Sequence, residues 1–321
     1  MDTELVHGHR RFTPAAGIRD LDVDPYDVEM LLDPYPYYAA LREAGPVVHI
    51  PKYNLLAVGR YAETRAVFVD HEHFGSARGV GLDDFALVEP FRPPSIILEV
   101  DPPEHTRTRR VLADAMSRAR VAELEDDLTA TAHRVIDELP DGEVFDAVEL
   151  IAQAYPGVAF PEAVGMTESD REHLLAYSSM VFNAIGPDNE LRRRAFEHAG
   201  EFVPWVADAC RRDRLRDRGL GVSVYAAADA GVISEDEASL LVRSLLTAGI
   251  DTTVGGIGGL LAHVGGPNDA WRRLQDDRSL VDSCVEEALR LDSPVHGFGR
   301  TARVDTEIAG FPVAEGTKAV S

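Results

Sequence analysis

Apolar residues recur at intervals of three and four over most of the chain and alternate with polar ones only in short runs, the pattern of a mainly helical protein. Asp33-Pro34 opens a helix that runs to Ala44 and stops at Gly45-Pro46, since proline suits a first turn and breaks a later one. Residues 47–50 and 54–58 alternate on either side of Pro51-Lys52 and predict a β-hairpin. Helical spacing returns at 62–69, 104–116, 119–139, 168–183, 190–218 and 279–291, and 302–320 alternates like strands around Glu315-Gly316. Between Gly75 and Leu98, glycines and prolines predict a long loop, a frequent form for a lid over a ligand. No repeat or linker divides the chain, so the expectation is one domain over residues 1–321 with a small β-element at its edge.

Residues 237–264 stand apart because they are apolar on nearly every side, as in a helix buried at the centre of a protein. Arg243, Asp251 and His263 interrupt the run and speak against a membrane span. Within it Ser244, Thr247, Ala248 and Asp251 share one face, Gly249 lies among them, and Thr252-Thr253 follow. A buried carboxylate is costly unless paired or used, and threonine hydroxyls can bond to the preceding turn. Two readings stay open from these residues: a locally opened helix that delivers protons to a small bound molecule, or a kink with a satisfied aspartate.

Composition narrows the setting. With 32 Lys and Arg against 55 Asp and Glu, the net charge is −23, which repels nucleic-acid phosphates and anionic membranes. The N-terminal residues Asp2, Glu4, His7, His9 and Arg10 hold no apolar leader core, and two cysteines make no disulfide framework, so the expected location is the cytoplasm. Cys210, among arginines, and Cys284 read as structural thiols. Basic residues cluster twice, at 107–120 and at 211–218, each readable as a solvated helix face. Glu287 and Arg290 form an i, i+3 pair; His105 and Arg109 lie one turn apart on another helix; Arg300 follows the Pro294 turn. Cations so grouped suit a dianionic ligand, with arginine able to grip a carboxylate in two places.

Taken in order, Asp101-Pro-Pro-Glu-His105-Thr-Arg-Thr-Arg109-Arg110, Ala248-Gly-Ile-Asp251-Thr252-Thr253, Glu287-Ala-Leu-Arg290 and Gly299-Arg300-Thr-Ala resemble the cytochrome P450 superfamily. The resemblance runs from the helix at Asp33-Pro34 to Val320 and implies the P450 fold, a helical bundle around a long central helix with small β-sheets. It implies haem b as cofactor, with His105, Arg109 and Arg300 on the propionates and Ala248 and Gly249 beside the ring. Asp251 and Thr252 would then manage proton delivery to dioxygen, and Glu287 and Arg290 would belong to a structural network behind the haem. The family's Phe-x-x-Gly-x-x-x-Cys-x-Gly loop, which carries the thiolate ligand of the iron, does not occur in these 321 residues, so the chain reads as truncated before it and supplies no metal ligand.

A narrower resemblance concerns substrate. Arg92-Pro-Pro-Ser95-Ile-Ile-Leu98, Met180-Val-Phe182-Asn-Ala-Ile185-Gly-Pro, Leu241-Val-Arg243-Ser244-Leu-Leu and Ser293-Pro-Val295-His-Gly-Phe298 are similar to bacterial P450s that O-demethylate para-methoxybenzoates. That implies an apolar slot lined by Leu98, Phe182, Ile185, Thr247, Val295 and Phe298, with a polar end at Arg92, Ser95, Arg243 and Ser244 for a carboxylate. Ile185 stands where that group carries an aromatic residue, which implies a wider slot. The alternative for Arg243 is a side chain that snorkels to the surface. The implied activity is insertion of one oxygen atom of O2, with electrons from a ferredoxin and an NAD(P)H-dependent ferredoxin reductase and with 107–120 as an electropositive dock. The other functional class is a haem-free, inactive remnant or a helical binder of small carboxylates.

Overall fold

A computed structural model describes residues 4–167 and 170–321. From the N-terminus come strands β1 (Leu5–Val6), β2 (His9–Arg10) and β3 (Arg19–Asp20), helices α1 (Val28–Leu32) and α2 (Tyr35–Ala44), strands β4 (Val48–Ile50) and β5 (Leu55–Ala57), helix α3 (Tyr61–Val69) and strand β6 (Phe74–Gly75). After the loop come α4 (Glu104–Ala115), α5 (Arg118–Ala122), α6 (Glu125–Asp137), a π-helical turn (Val148–Gln153), α7 (Ala154–Val164), α8 (Arg171–Ile185), α9 (Glu190–Phe196), α10 (Ala199–Ala209) and α11 (Leu220–Asp229). The chain continues through α12 (Glu235–Val264), α13 (Ala270–Asp276), α14 (Val281–Leu291) and β7 (Gly299–Ala302), β8 (Thr306–Ile308), β9 (Phe311–Val313) and β10 (Lys318–Val320).

Contacts group the chain into two units, of which the first comprises residues 1–108, 182–194 and 297–321. Its centre is a six-stranded sheet in the order β3-β4-β5-β10-β7-β6. The expected hairpin is present, with His49 opposite Leu56, and β10 adds to it in parallel with Ala319 opposite Leu56. Alternation along β5 sends Leu56 into one apolar cluster, with Val58, Phe74 and Ala319, and Leu55 and Ala57 into another, with Val48, Ile50 and Leu82. Lys318 is wholly buried, and its ammonium donates to the carbonyls of Arg78 at 3.0 Å and Gly79 at 2.9 Å, tying the start of the 76–98 loop to the sheet.

The second unit, residues 109–181 and 195–296, is helical and built on α12, which packs on α7, the π turn, α11 and α14. A capping box starts α12: the Ser234 hydroxyl accepts from the Glu237 N–H, and the Glu237 carboxylate accepts from the Ser234 N–H. The expectation of a helix buried throughout is corrected: Ala238, Leu241, Val242, Leu245, Leu246 and Ile250 are buried, but nothing from Asp251 to His263 is. Its length and composition would also suit a membrane span, and burial of residues in its first half accounts for apolar side chains there.

Other boundaries differ too. The helix expected over 119–139 is two, α5 and α6, and 190–218 breaks into α9, α10 and a 3₁₀ turn (Arg212–Arg214). The arginines after Cys210 are therefore not one helix face. Arg212 pairs with Asp229 and Glu235, and Arg214 with Asp208, each at 2.8–2.9 Å. The expected start of α8 at Glu168 lies outside the described residues.

Candidate active site

In the second unit the polar residues of α12 gather at its middle, where Arg243 is buried and Ser244, Thr247, Asp251 and Thr252 are half-buried. Arg243 is 8% exposed, which corrects the alternative of a side chain snorkelling to the surface. It lies beside the buried thiol of Cys210, where its positive charge partly opposes the burial that pushes that thiol up to about 12. The hydroxyls of Ser244 and Thr247 donate to the carbonyls of Leu240 and Arg243, each at 2.9 Å, so both polar groups are accommodated without breaking the helix. One turn on, the Thr252 hydroxyl donates to the Ala248 carbonyl at 2.5 Å. Its oxygen keeps acceptor capacity, which is what a proton relay requires. Burial pushes the Asp251 carboxyl above its ordinary range, because a less solvated carboxylate holds its charge at a cost.

Of the two readings left open there, neither an opened turn nor a kink interrupts α12, which runs continuously through Gly249. The glycine serves close packing instead: a Cβ there would stand 1.9 Å from the ring of Phe160 on α7. A second glycine feature, unnoticed in the sequence, lies further along. Gly255, Gly256 and Gly259 receive Pro294, Leu289 and Asp292, with would-be Cβ contacts of 3.1 Å each. The signal was the spacing of small residues at 255, 256, 258 and 259, which lets the segment before Val295 lie on the helix. His263 adds an ion pair to Asp292 at 2.8 Å. On α14, Glu287 and Arg290 form a two-pronged pair at 2.7 Å on the exposed surface, and the guanidinium holds the Glu287 carboxyl below its usual range.

In the first unit Arg92 was expected at a ligand's carboxylate. It carries one from the chain instead: Arg92 and Glu99 are both buried and paired at 2.9 Å, and Glu99 also accepts from the Ser95 N–H at 2.6 Å. The Ser95 hydroxyl in turn accepts from the N–H of Leu98 at 3.1 Å. A buried guanidinium needs such a partner, and Glu99 went unread because its role depends on a turn that brings i+7 back. Arg300 lies over the ring of Phe68 at 4.6 Å and donates to the Gly299 carbonyl at 2.9 Å, and burial lowers its pKa from the ordinary arginine value. Phe182, Ile185 and Phe298 are half-buried in this unit, as are Thr247 and Val295 in the other. His105 and Arg109 sit one turn apart on α4, the first half-buried and the second exposed.

These residues fit part of a haem. Imidazole and guanidinium groups such as those of His105 and Arg109 on α4, and that of Arg300 in the first unit, are of a kind that binds propionate carboxylates, and Ala248 is exposed on α12. The iron's thiolate does not come from these 321 residues: Cys210 is fully buried with its proton firmly held, and Cys284 lies on a helix one turn before Glu287. Among the described residues no cluster of three or more metal-binding side chains occurs.

No protein-family profile matches the chain. It is 47% identical over 304 residues to cytochrome P450 CYP199A2 of Rhodopseudomonas palustris, an alignment that covers 94% of the chain and 74% of that protein. It is 32% identical over 269 residues to vitamin D(3) 25-hydroxylase of Pseudonocardia autotrophica, covering 82% of the chain and 65% of that enzyme. The structure of cytochrome P450 CYP109Q5 from Chondromyces apiculatus superposes with a TM-score of 0.74 at 28% identity, over 94% of the chain and 75% of that protein. With sequence and fold alike over nearly its whole length, the chain belongs to the cytochrome P450 family of haem-dependent monooxygenases.

Proposed function

We propose that the chain serves oxidation of a small para-substituted aromatic carboxylate, by O-demethylation or hydroxylation. The observation that carries this reading is the buried cation on α12. Arg243 and Ser244 sit about two turns before Asp251, and the helical rise sets Ser244 and Asp251 roughly 10 Å apart along the axis, about the length of a benzoate. A buried carboxylate needs a cation and further donors, and this end of the helix supplies both. When bound, haem b supplies the activation of dioxygen. The chain's own residues then do three things: His105, Arg109 and Arg300 hold propionates, Arg243, Ser95 and Ser244 orient the acid, and Asp251 and Thr252 hold and pass a proton. For a methoxy substrate, hydroxylation gives a hemiacetal that collapses to a phenol and formaldehyde. Residues 1–321 would belong to a single P450 domain without supplying all of it, in the cytoplasm.

The two electrons would come from a ferredoxin and its NAD(P)H-dependent reductase. In the second unit Arg109, Arg110, Arg118 and Arg120 are all exposed, a cationic surface suited to an acidic ferredoxin. The test of the substrate reading is calorimetric. Arg243→Leu should weaken binding of 4-methoxybenzoate by about 2–5 kcal/mol and leave binding of its methyl ester unchanged. Equal loss for acid and ester would make Arg243 a packing residue and remove the physical support for a carboxylate substrate.

A further inference from the structure

Two segments of the first unit that carry expected substrate residues meet around one peptide. The 76–98 loop bears Ser95 and Leu98, and residues 182–194 bear Phe182 and Ile185. The Leu82 N–H donates to the Ile185 carbonyl at 3.1 Å. A Cβ on Gly81 would stand 2.5 Å from that oxygen and 2.7 Å from the Ile185 Cα, backbone atoms that cannot turn aside. Arg192 closes the arrangement: one guanidinium nitrogen donates to the Gly186 carbonyl at 3.0 Å and the other to the Asp83 carboxylate at 3.3 Å. Asp83 is hemmed in from its other side by the β1–β2 turn, where a Cβ on Gly8 would lie 2.2 Å from its Oδ1, and the Asp84 N–H donates to the Gly8 carbonyl at 3.0 Å.

We infer that Gly81, Asp83 and Arg192 are positioning residues: they fix the backbone of Ile185 and so set how far its side chain reaches into the substrate slot. The inference rests on the aromatic-carboxylate reading, in which Ile185 lines that slot, and adds what decides its specificity. Neither Gly81 nor the charged pair needs to touch substrate. One methylene more or less in an apolar pocket changes discrimination by about 10- to 200-fold, so a small shift of the Ile185 backbone changes which para substituent fits. The glycine allows the approach, the Leu82 bond sets its height, and Arg192 holds the following peptide so that the turn cannot swing away.

The test uses the full chain and two readouts. Arg192→Gln should speed hydrogen exchange at the Leu82 amide by about tenfold, because the bond to Ile185 then opens locally. In calorimetry it should favour 4-isopropylbenzoate over 4-methoxybenzoate by about threefold relative to the unchanged chain, since a loosened Ile185 yields to the bulkier group. Gly81→Ala should shift the same ratio by displacing Ile185. Arg193→Gln, on the same helix with its side chain 59% exposed, should move neither quantity. Unchanged exchange at Leu82 in Arg192→Gln overturns the mount, and equal weakening of both benzoates overturns its role in specificity. If the unchanged chain binds neither benzoate, the substrate reading falls and the specificity claim with it, while exchange at Leu82 still judges the mount.

Discussion

The two halves of α12 have much the same apolar composition and meet opposite fates. Before Asp251 the helix is capped, meets Phe160 of α7 at Gly249, and buries Ala238, Leu241, Val242, Arg243, Leu245, Leu246, Gly249 and Ile250. After it, four glycines replace the branched side chains, α14 and the 291–295 segment press on one face, and no residue is buried until Val264. The carboxylate and threonine proposed for proton transfer, Asp251 and Thr252, stand at the junction. Apolar composition marks a helix that belongs inside a protein, but burial turn by turn depends on which neighbour is present. Burial is concentrated in one half, and glycines that admit close neighbours in the other.

Truncating each half should expose the difference most strongly. Leu241→Ala, at a fully buried position, should cost about 2–5 kcal/mol in urea unfolding, whereas Ile257→Ala, half-buried, should cost under about 1.5 kcal/mol. Equal losses would mean that the second half is packed as well as the first. Glycine replacement sharpens the contrast because its sign should invert. Gly249→Ala meets Phe160 and should destabilise by about 1–3 kcal/mol, while Gly258→Ala meets nothing within 4 Å and should stabilise by about 0.5–1 kcal/mol through helix propensity. Combining Gly249→Ala with Phe160→Leu should be clearly non-additive if the ring is what the methyl strikes.

The start of the helix offers a smaller effect. Ser234→Ala removes half of the capping box and should cost about 1 kcal/mol, read as a lower urea midpoint at unchanged slope. The smallest is electrostatic, at the junction itself. Burial raises the Asp251 carboxyl above its unfolded value of 3.8, so the folded chain binds that proton more tightly than the unfolded one. The stabilising contribution is then fully present below the unfolded value and is lost as pH rises through the folded one. Asp251→Asn, which cannot ionise, should therefore melt at a higher temperature than the unchanged chain at pH 7, with the gap closing as the pH falls towards 4. A gap that widens with acid would show a carboxylate stabilised by a partner and not penalised by burial.

Where local chemistry dominates, the sequence alone was sufficient. Proline and glycine at 34, 45 and 46 delimit α2, alternation around Pro51 makes the β4–β5 hairpin, and the apolar run with its embedded Ala-Gly-Ile-Asp-Thr-Thr locates α12. The family, too, was legible, because its motifs are short and lie in fixed order. What escaped was set by contacts between distant residues. Helix α7 carries Pro156, Gly157 and Pro161, each a poor local choice, and forms because Gly157, Ala159, Ala163 and Val164 are buried in a unit built on α12. The parallel pairing of β10 with β5 joins residues more than two hundred and fifty positions apart, which no local period can announce.

The candidate site divides along the same line. Residue types and their helical spacing were enough to put Ser244, Thr247, Ala248 and Asp251 on one face and His105 one turn from Arg109, because helix geometry alone determines that. Whether a charge is spent inside the protein or left for a ligand was decided only by the tertiary structure. Arg92 neutralises Glu99 and Lys318 is consumed by two loop carbonyls, whereas Arg243, buried on α12, is the cation proposed for the substrate. A charged side chain looks the same in sequence wherever it ends up. Its partner is chosen by the cost of leaving it unpaired in a low-dielectric interior, and that cost exists only once the chain has folded around it.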